Sequence, residues 1–67
     1  MKQLGDNLKE LRKIYGLSQK DFATKMETTQ QRVSEWESNK IDPSLYNIVK
    51  ILKLYSITFE ELIEGIY

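Results

Sequence analysis

Three features of this 67-residue chain predict a compact all-α domain of five helices. Apolar residues recur at three- and four-residue intervals along most of its length, which is the period of a helix and not of a strand. Helix-starting residues, Ser18, Thr29, Ser44 and Thr58, stand before successive apolar runs. Gly16 and Pro43, the strongest local breakers, fall between those runs.

Each element has its own signal. Leu4, Leu8, Leu11 and Ile14 are spaced as one face of a first helix over about 2–14. Gly16 ends it as a left-handed cap. Ser18 and Asp21 form a shortened capping box opening a second, short helix whose apolar face is Phe22, Ala23 and Met26. Thr29 caps a third helix over about 30–38, with Val33 and Trp36 as its apolar positions. Asn39, which tolerates the left-handed conformation, helps to end it. Asp42, Pro43 and Ser44 open a fourth helix over about 44–55. Its expected buried stripe is Leu45, Ile48, Val49, Leu52 and Tyr55, with Ile51 and Leu54 left on the flanks. Thr58 and Glu61 form a full capping box that opens a last helix to about 64. The connections are short, so neighbouring helices must pack on one another.

Composition removes several function classes. There is no Cys and no His, which excludes disulfides, thiolate metal sites, thiol catalysis and the commonest general base. No metal, cofactor or enzymatic role is therefore expected. Lys50 and Lys53 interrupt the most apolar stretch, so no membrane span is expected. The first residues lack an apolar secretory run, and a cytoplasmic location is the expectation. The formal net charge is zero, but it is unevenly spread. Residues 1–40 hold eight cations against six acids, and residues 41–67 hold two cations against four acids. That gradient fits either an ordinary solvated surface or a cationic working face with an acidic rear.

The third helix carries the functional signal. With Val33 at the centre of the buried face and 100° per residue, Trp36 and Glu37 fall inward. Gln31, Ser34, Glu35 and Ser38 fall outward, and Gln30 lies in the first turn. The outer face is thus amide and hydroxyl with little charge, where a merely solvated helix usually carries Lys and Glu pairs. A Gln side chain can bond bidentately to adenine N6 and N7 in the major groove. Two short helices joined by a tight turn, the second with such a face, form a helix-turn-helix over about 18–38.

Gln19–Glu37 resembles the Cro/C1-type (XRE-like) helix-turn-helix family of phage repressors and bacterial regulators. The matching residues are Leu17-Ser18-Gln19, Phe22-Ala23, Val33, Trp36, Glu37 and Pro43-Ser44-Leu45. Thr28-Thr29-Gln30-Gln31 resembles the 434-type repressors in particular. The resemblance covers roughly residues 4–64. It implies a lambda-repressor-like DNA-binding domain of five helices, a single domain over 1–67, docking on double-stranded operator DNA as a homodimer. It also implies base contacts from Gln30, Gln31, Ser34 and Glu35. Glu35, an acceptor only, suits a cytosine N4 donor. Phosphate contacts are implied for Gln19, Thr29, Arg32, Asn39 and Lys40, with Gln19 also placed to buttress Gln30. Arg32 is read equally as a solvated side chain over Trp36. Arg12 and Glu37 match positions of an ion pair joining the first and third helices.

Two departures from the family pattern concern turns. Glu27 stands where Gly is usual between the second and third helices, and Asn39 where Gly is usual after the third. Tyr55 stands in place of Leu, so its hydroxyl needs a partner or water. The C-terminal helix and tail, 58–67, are the expected dimer contact, through Leu54, Phe59, Ile63, Ile66 and Tyr67. Two functions remain open from sequence: a DNA-binding transcriptional repressor, and a protein-interaction module of the same fold such as an antitoxin with a toxin partner or a restriction-modification controller.

Overall fold

Ser18, Thr29, Ser44 and Thr58 each start a helix. The structure, a computed structural model, describes residues 2–66. It contains α1 (Leu4–Ile14), α2 (Gln19–Met26), α3 (Gln30–Glu37), α4 (Leu45–Tyr55) and α5 (Phe59–Leu62), with no strand among the described residues. The Ser18 hydroxyl accepts from Asp21 N (3.0 Å), and Ser18 N donates to the Asp21 carboxylate (3.3 Å). Thr58 and Glu61 repeat this box at α5. Thr29 Oγ1 accepts from Arg32 N and Ser44 Oγ from Asn47 N. Each cap satisfies a backbone donor that the first helical turn cannot.

The other ends share one device. At the ends of α1 to α4 the chain turns left-handed at Gly16, Glu27, Asn39 and Ser56, with φ of 70°, 58°, 64° and 54°. The amide one residue further on donates back five positions: Leu17 N to Arg12 O, Thr28 N to Ala23 O, Lys40 N to Glu35 O, and Ile57 N to Leu52 O, all at 2.9–3.0 Å. This is the Schellman arrangement, for which Gly is the unstrained residue. Only the first of the four positions is Gly.

Leu8, Phe22, Met26, Val33, Ile51 and Leu62 are almost fully buried and define the centre of the core. Trp36 is buried with them, as its spacing from Val33 requires. α3 packs on both α1 and α2, so it is gripped from two sides. Asn7 of α1 is buried, and its amide donates to the carbonyls of Leu62 (2.7 Å) and Glu64 (3.1 Å), closing the chain's end onto its beginning. Gly5 allows the close crossing of α1 and α3. Its N–H donates to Asn39 Oδ1 (2.8 Å), and a Cβ there would collide with the Trp36 carbonyl and the Asn39 side chain.

One expected apolar face is rotated, and another is one residue shorter than expected. In α4 Ile51, expected on the flank, is fully buried, while Leu45 (79% exposed) and Val49 (42%) face outward. The buried stripe is Ile48, Ile51, Leu52 and Tyr55, which is equally helical in spacing. Both stripes exist because the helix is apolar nearly all round, and periodicity alone cannot choose between them. In α1 Ile14 is 75% exposed. The last turn there is held instead by Arg12, which takes the inward position.

Tyr55 lies at the end of α4 between two other rings, Tyr15 (centroids 4.5 Å apart) and Phe22 (5.9 Å, stacked). The Tyr15 hydroxyl donates to the Tyr55 carbonyl. Tyr55's own hydroxyl is buried and finds no hydrogen-bond partner among the described residues. Burial, with the nearby Glu37 carboxylate, pushes its pKa up to about 12.

The strained turn at Glu27 gives a direct test. A non-glycine residue in this conformation costs on the order of 1 kcal/mol. Glu27→Gly is therefore expected to raise the melting temperature by roughly 4–8 °C, the shift for about 1 kcal/mol in a domain this small. Thermal denaturation followed by circular dichroism measures it, and a lower value would show that Glu27 is unstrained in its turn.

Candidate nucleic-acid interface

One face of α3 is free of the core. Gln30, Gln31, Arg32 and Ser34 are exposed and Glu35 is half-buried, while Val33, Trp36 and Glu37 are buried behind them. The helix therefore divides as the 100° spacing requires, between an apolar rear and a polar front. Its N-terminus is open. Thr29 caps the Arg32 amide, and the amides of Gln30 and Gln31 lie in the unpaired first turn. Such an end favours an anion.

The front is held by a buried ion pair. Arg12 Nε donates to Glu37 Oε2 at 2.7 Å and Arg12 Nη2 to Glu37 Oε1 at 3.1 Å. The two side chains are only 10% and 3% exposed. Arg12 Nη1 also donates to the Leu17 carbonyl at 2.8 Å. The hydrogen bond to Glu37 raises the Arg12 pKa, against the opposing effect of burial. Gln19 Nε2 adds a further donor to Glu37 Oε1 at 3.2 Å. One carboxylate on α3 is thus bonded to α1 and to the first residue of α2.

These contacts refine the roles expected from sequence. Gln19 is bonded to Glu37, not to Gln30, so it braces α3 from its inner side and keeps the second hydrogen of its Nε2 to donate. Asn39 Oδ1 accepts from Gly5 N, which ties the end of α3 to α1 and leaves the Asn39 NH2 group available. Thr29 uses its oxygen as a cap and can still donate its hydroxyl proton. Arg32 and Lys40 are exposed, and neither makes an ion pair among the described residues. No described contact places Arg32 over Trp36.

The C-terminal residues expected at a dimer contact do not form one surface. Phe59, Ile63 and Ile66 line an open groove with Leu4, Pro43, Leu45 and Ile48. Leu54 lies apart from it, in a smaller depression with Tyr15, Leu17, Lys25 and Tyr55, and packs against the core. Leu54 sits on the other flank of α4, because α4 is rotated from the expected orientation. Tyr67 is outside the described residues.

Lys50 carries a role that sequence reading missed. Its ammonium donates to the Met26 carbonyl (2.7 Å) and to Glu27 Oε1 (3.2 Å), so α4 caps the end of α2 at the helix-turn-helix turn. The available signal was a cation in the middle of a mostly apolar helix, one that Lys53 shares.

The chain belongs to the helix-turn-helix family, which matches residues 8–62. Within it the chain is of the Cro/C1 (XRE-like) type, a DNA-binding class of transcription regulators. It is 30% identical over 63 residues to the HTH-type transcriptional activator BcrR of Enterococcus faecalis, covering 94% of this chain and 31% of that protein. It is 33% identical over 64 residues to the HTH-type transcriptional regulator DdrOP3 of Deinococcus deserti, covering 96% of this chain and 50% of that one. A third relative, the HTH-type transcriptional regulator MJ0272 of Methanocaldococcus jannaschii, is 33% identical over 57 residues, or 85% and 86% of the two chains. The chain spans a third to a half of the length of the first two. No described helix is long and apolar enough to cross a membrane.

The ion pair yields a stability prediction. Glu37→Ala strands the buried Arg12 charge and is expected to cost about 3–5 kcal/mol. Urea denaturation measures it. A loss below about 1 kcal/mol would mean that solvent screens the pair.

Proposed function

We propose that this chain is a sequence-specific transcriptional regulator that reads double-stranded operator DNA with α3 in the major groove. The observation that carries the reading is the face of α3. Two exposed amides, Gln30 and Gln31, stand at the open N-terminus of a helix locked from behind by Arg12 and Glu37. A base-reading amide needs a fixed approach, because bidentate bonds to adenine N6 and N7 tolerate little rotation. Ser34 and Glu35 follow on the same face, Glu35 as an acceptor for cytosine N4. Thr29, Arg32, Lys40, the second amide hydrogen of Gln19 Nε2 and the NH2 group of Asn39 serve the flanking phosphates. Repression is the favoured outcome, since a regulator seated on a promoter excludes the polymerase by occupancy alone. A protein-partner module of the same fold is the competing reading, supported by the zero net charge and the exposed apolar groove.

Binding to duplexes selected from a random library tests the function. Gln30→Ala and Gln31→Ala are each expected to weaken the selected site by about 1–3 kcal/mol and leave binding to random DNA nearly intact. Equal losses on both DNAs would remove these residues from base readout. Absence of any salt-dependent duplex binding by the unaltered protein would favour the partner module.

A dimer on a palindromic operator is part of the same proposal. One domain of this size offers few base contacts, and two copies on half-sites about 34 Å apart double them by symmetry. The groove of Leu45, Phe59, Ile63 and Ile66, continued by the outer stripe of α4 at Tyr46 and Val49, supplies an apolar surface for an isologous contact. Leu45→Asp with Phe59→Asp changes two exposed residues, and is expected to give a folded monomer with much weaker operator binding. Sedimentation of the unaltered protein as a monomer both free and on its operator would overturn the dimer.

A further inference from the structure

We infer that Lys50 is a positioning residue for base readout: by clamping the end of α2 and the left-handed turn at Glu27, it sets the angle at which α3 enters the groove. The inference rests on the DNA-reading function proposed above. Four observations support it. The Lys50 ammonium donates to the Met26 carbonyl at 2.7 Å, at the last residue of α2. It also bonds Glu27 Oε1 at 3.2 Å, on the one residue between α2 and α3 with a positive φ. The lysine side chain is only 23% exposed, whereas the Glu27 side chain is 83% exposed. Its charge lies 5.6 Å from the centre of the Tyr46 ring on its own helix.

The physics divides these contacts unequally. The pair with exposed Glu27 is screened and contributes little to stability. The bond to Met26 is different, because the carbonyls at a helix C-terminus lack helical donors and carry the negative end of the helix dipole. A half-buried ammonium there fixes the place where α2 stops. Only three residues, Glu27, Thr28 and Thr29, separate that place from Gln30. A small rotation at the turn is therefore carried directly to the two amides that would meet the bases. Glu27 has no conformational alibi of the glycine kind: a residue strained in the left-handed region keeps that geometry only where its surroundings hold it. Lys50 supplies a hold from α4.

Lys50→Met keeps the length of the stem and removes both bonds. Lys50→Arg keeps a cation able to reach the same carbonyl. Two measurements at a temperature where every variant is folded separate positioning from other roles. The first needs no DNA: amide chemical shifts and hydrogen exchange across Glu27–Gln31. Lys50→Met is expected to move these shifts and speed exchange there, while amides of α1 and α5 stay unchanged and Lys50→Arg resembles the original. The second compares binding to a duplex selected with the unaltered protein and to a random duplex. Lys50→Met is expected to lower the preference for the selected duplex about three- to tenfold, to leave the salt slope unchanged, and to be rescued largely by Lys50→Arg. A uniform loss on both duplexes with a salt slope lower by about one would make Lys50 a phosphate contact and overturn the inference. Unmoved turn amides would overturn it as well. Moved turn amides in a protein that prefers no duplex would keep the clamp and refute the DNA reading on which its role in readout depends.

Discussion

The Glu37 carboxylate is nearly sealed from water, and its burial is tolerable only because three donors converge on it. A lone buried carboxylate loses its hydration, and the interior returns that loss only through well-aligned hydrogen bonds. Here two come from Arg12 and one from Gln19. The geometry this demands is unusually restrictive for so small a molecule. α1 must bring a guanidinium edge-on, α2 must begin with an amide in reach, and α3 must turn Glu37 inward. Turning Glu37 inward is what turns Gln31, Ser34 and Glu35 outward. The working face of α3 is in this sense the reverse side of one buried charge.

Around that lock the domain is joined by single polar bonds at its edges, each where an apolar contact would leave orientation free. Asn7 fastens α1 to the residues around the end of α5, Gly5 and Asn39 fasten α1 to the end of α3, and Lys50 fastens α4 to the end of α2. In each case a side chain satisfies backbone groups near the end of a helix or turn, where the regular ladder runs out. The apolar core supplies most of the driving force for folding and is indifferent to small rotations. The polar bonds are directional, and they remove that indifference.

The helices and their starts were legible from sequence because their signals are local. A hydroxyl before an apolar run, with an acid three residues on, specifies a backbone geometry without reference to the rest of the chain. Ser18 with Asp21 and Thr58 with Glu61 therefore give the starts of α2 and α5 directly. The split of α3 was legible for the same reason, since Val33 and Trp36 are its only large apolar residues. α4 was not, because Leu45, Ile48, Val49, Ile51 and Leu52 allow two overlapping stripes and the choice belongs to the neighbouring helices. The misplacement of Leu54 relative to Phe59 follows from that one rotation. Asn7 and Lys50 were invisible for a further reason: each donates to a backbone carbonyl distant in sequence, and a carbonyl in need of a donor leaves no mark on residue identity.

The left-handed residues show how the same structural demand can be met by different chemistry. Gly16 adopts its turn freely, where no Cβ contact constrains it. Asn39 occupies an equivalent turn but uses its side chain to bond α1, so glycine there would relieve the backbone and lose the tie. Glu27 and Ser56 carry the strain with less evident return from their own side chains. At Glu27 the return comes from elsewhere, in the ammonium that α4 extends to the end of α2. Strain at a turn and a clamp upon it form a coherent pair: the strained residue has no other low-energy path for the chain to follow once the clamp is closed. A helix meant to present two amides at a fixed angle gains more from such a turn than from a glycine, which fits many angles equally well.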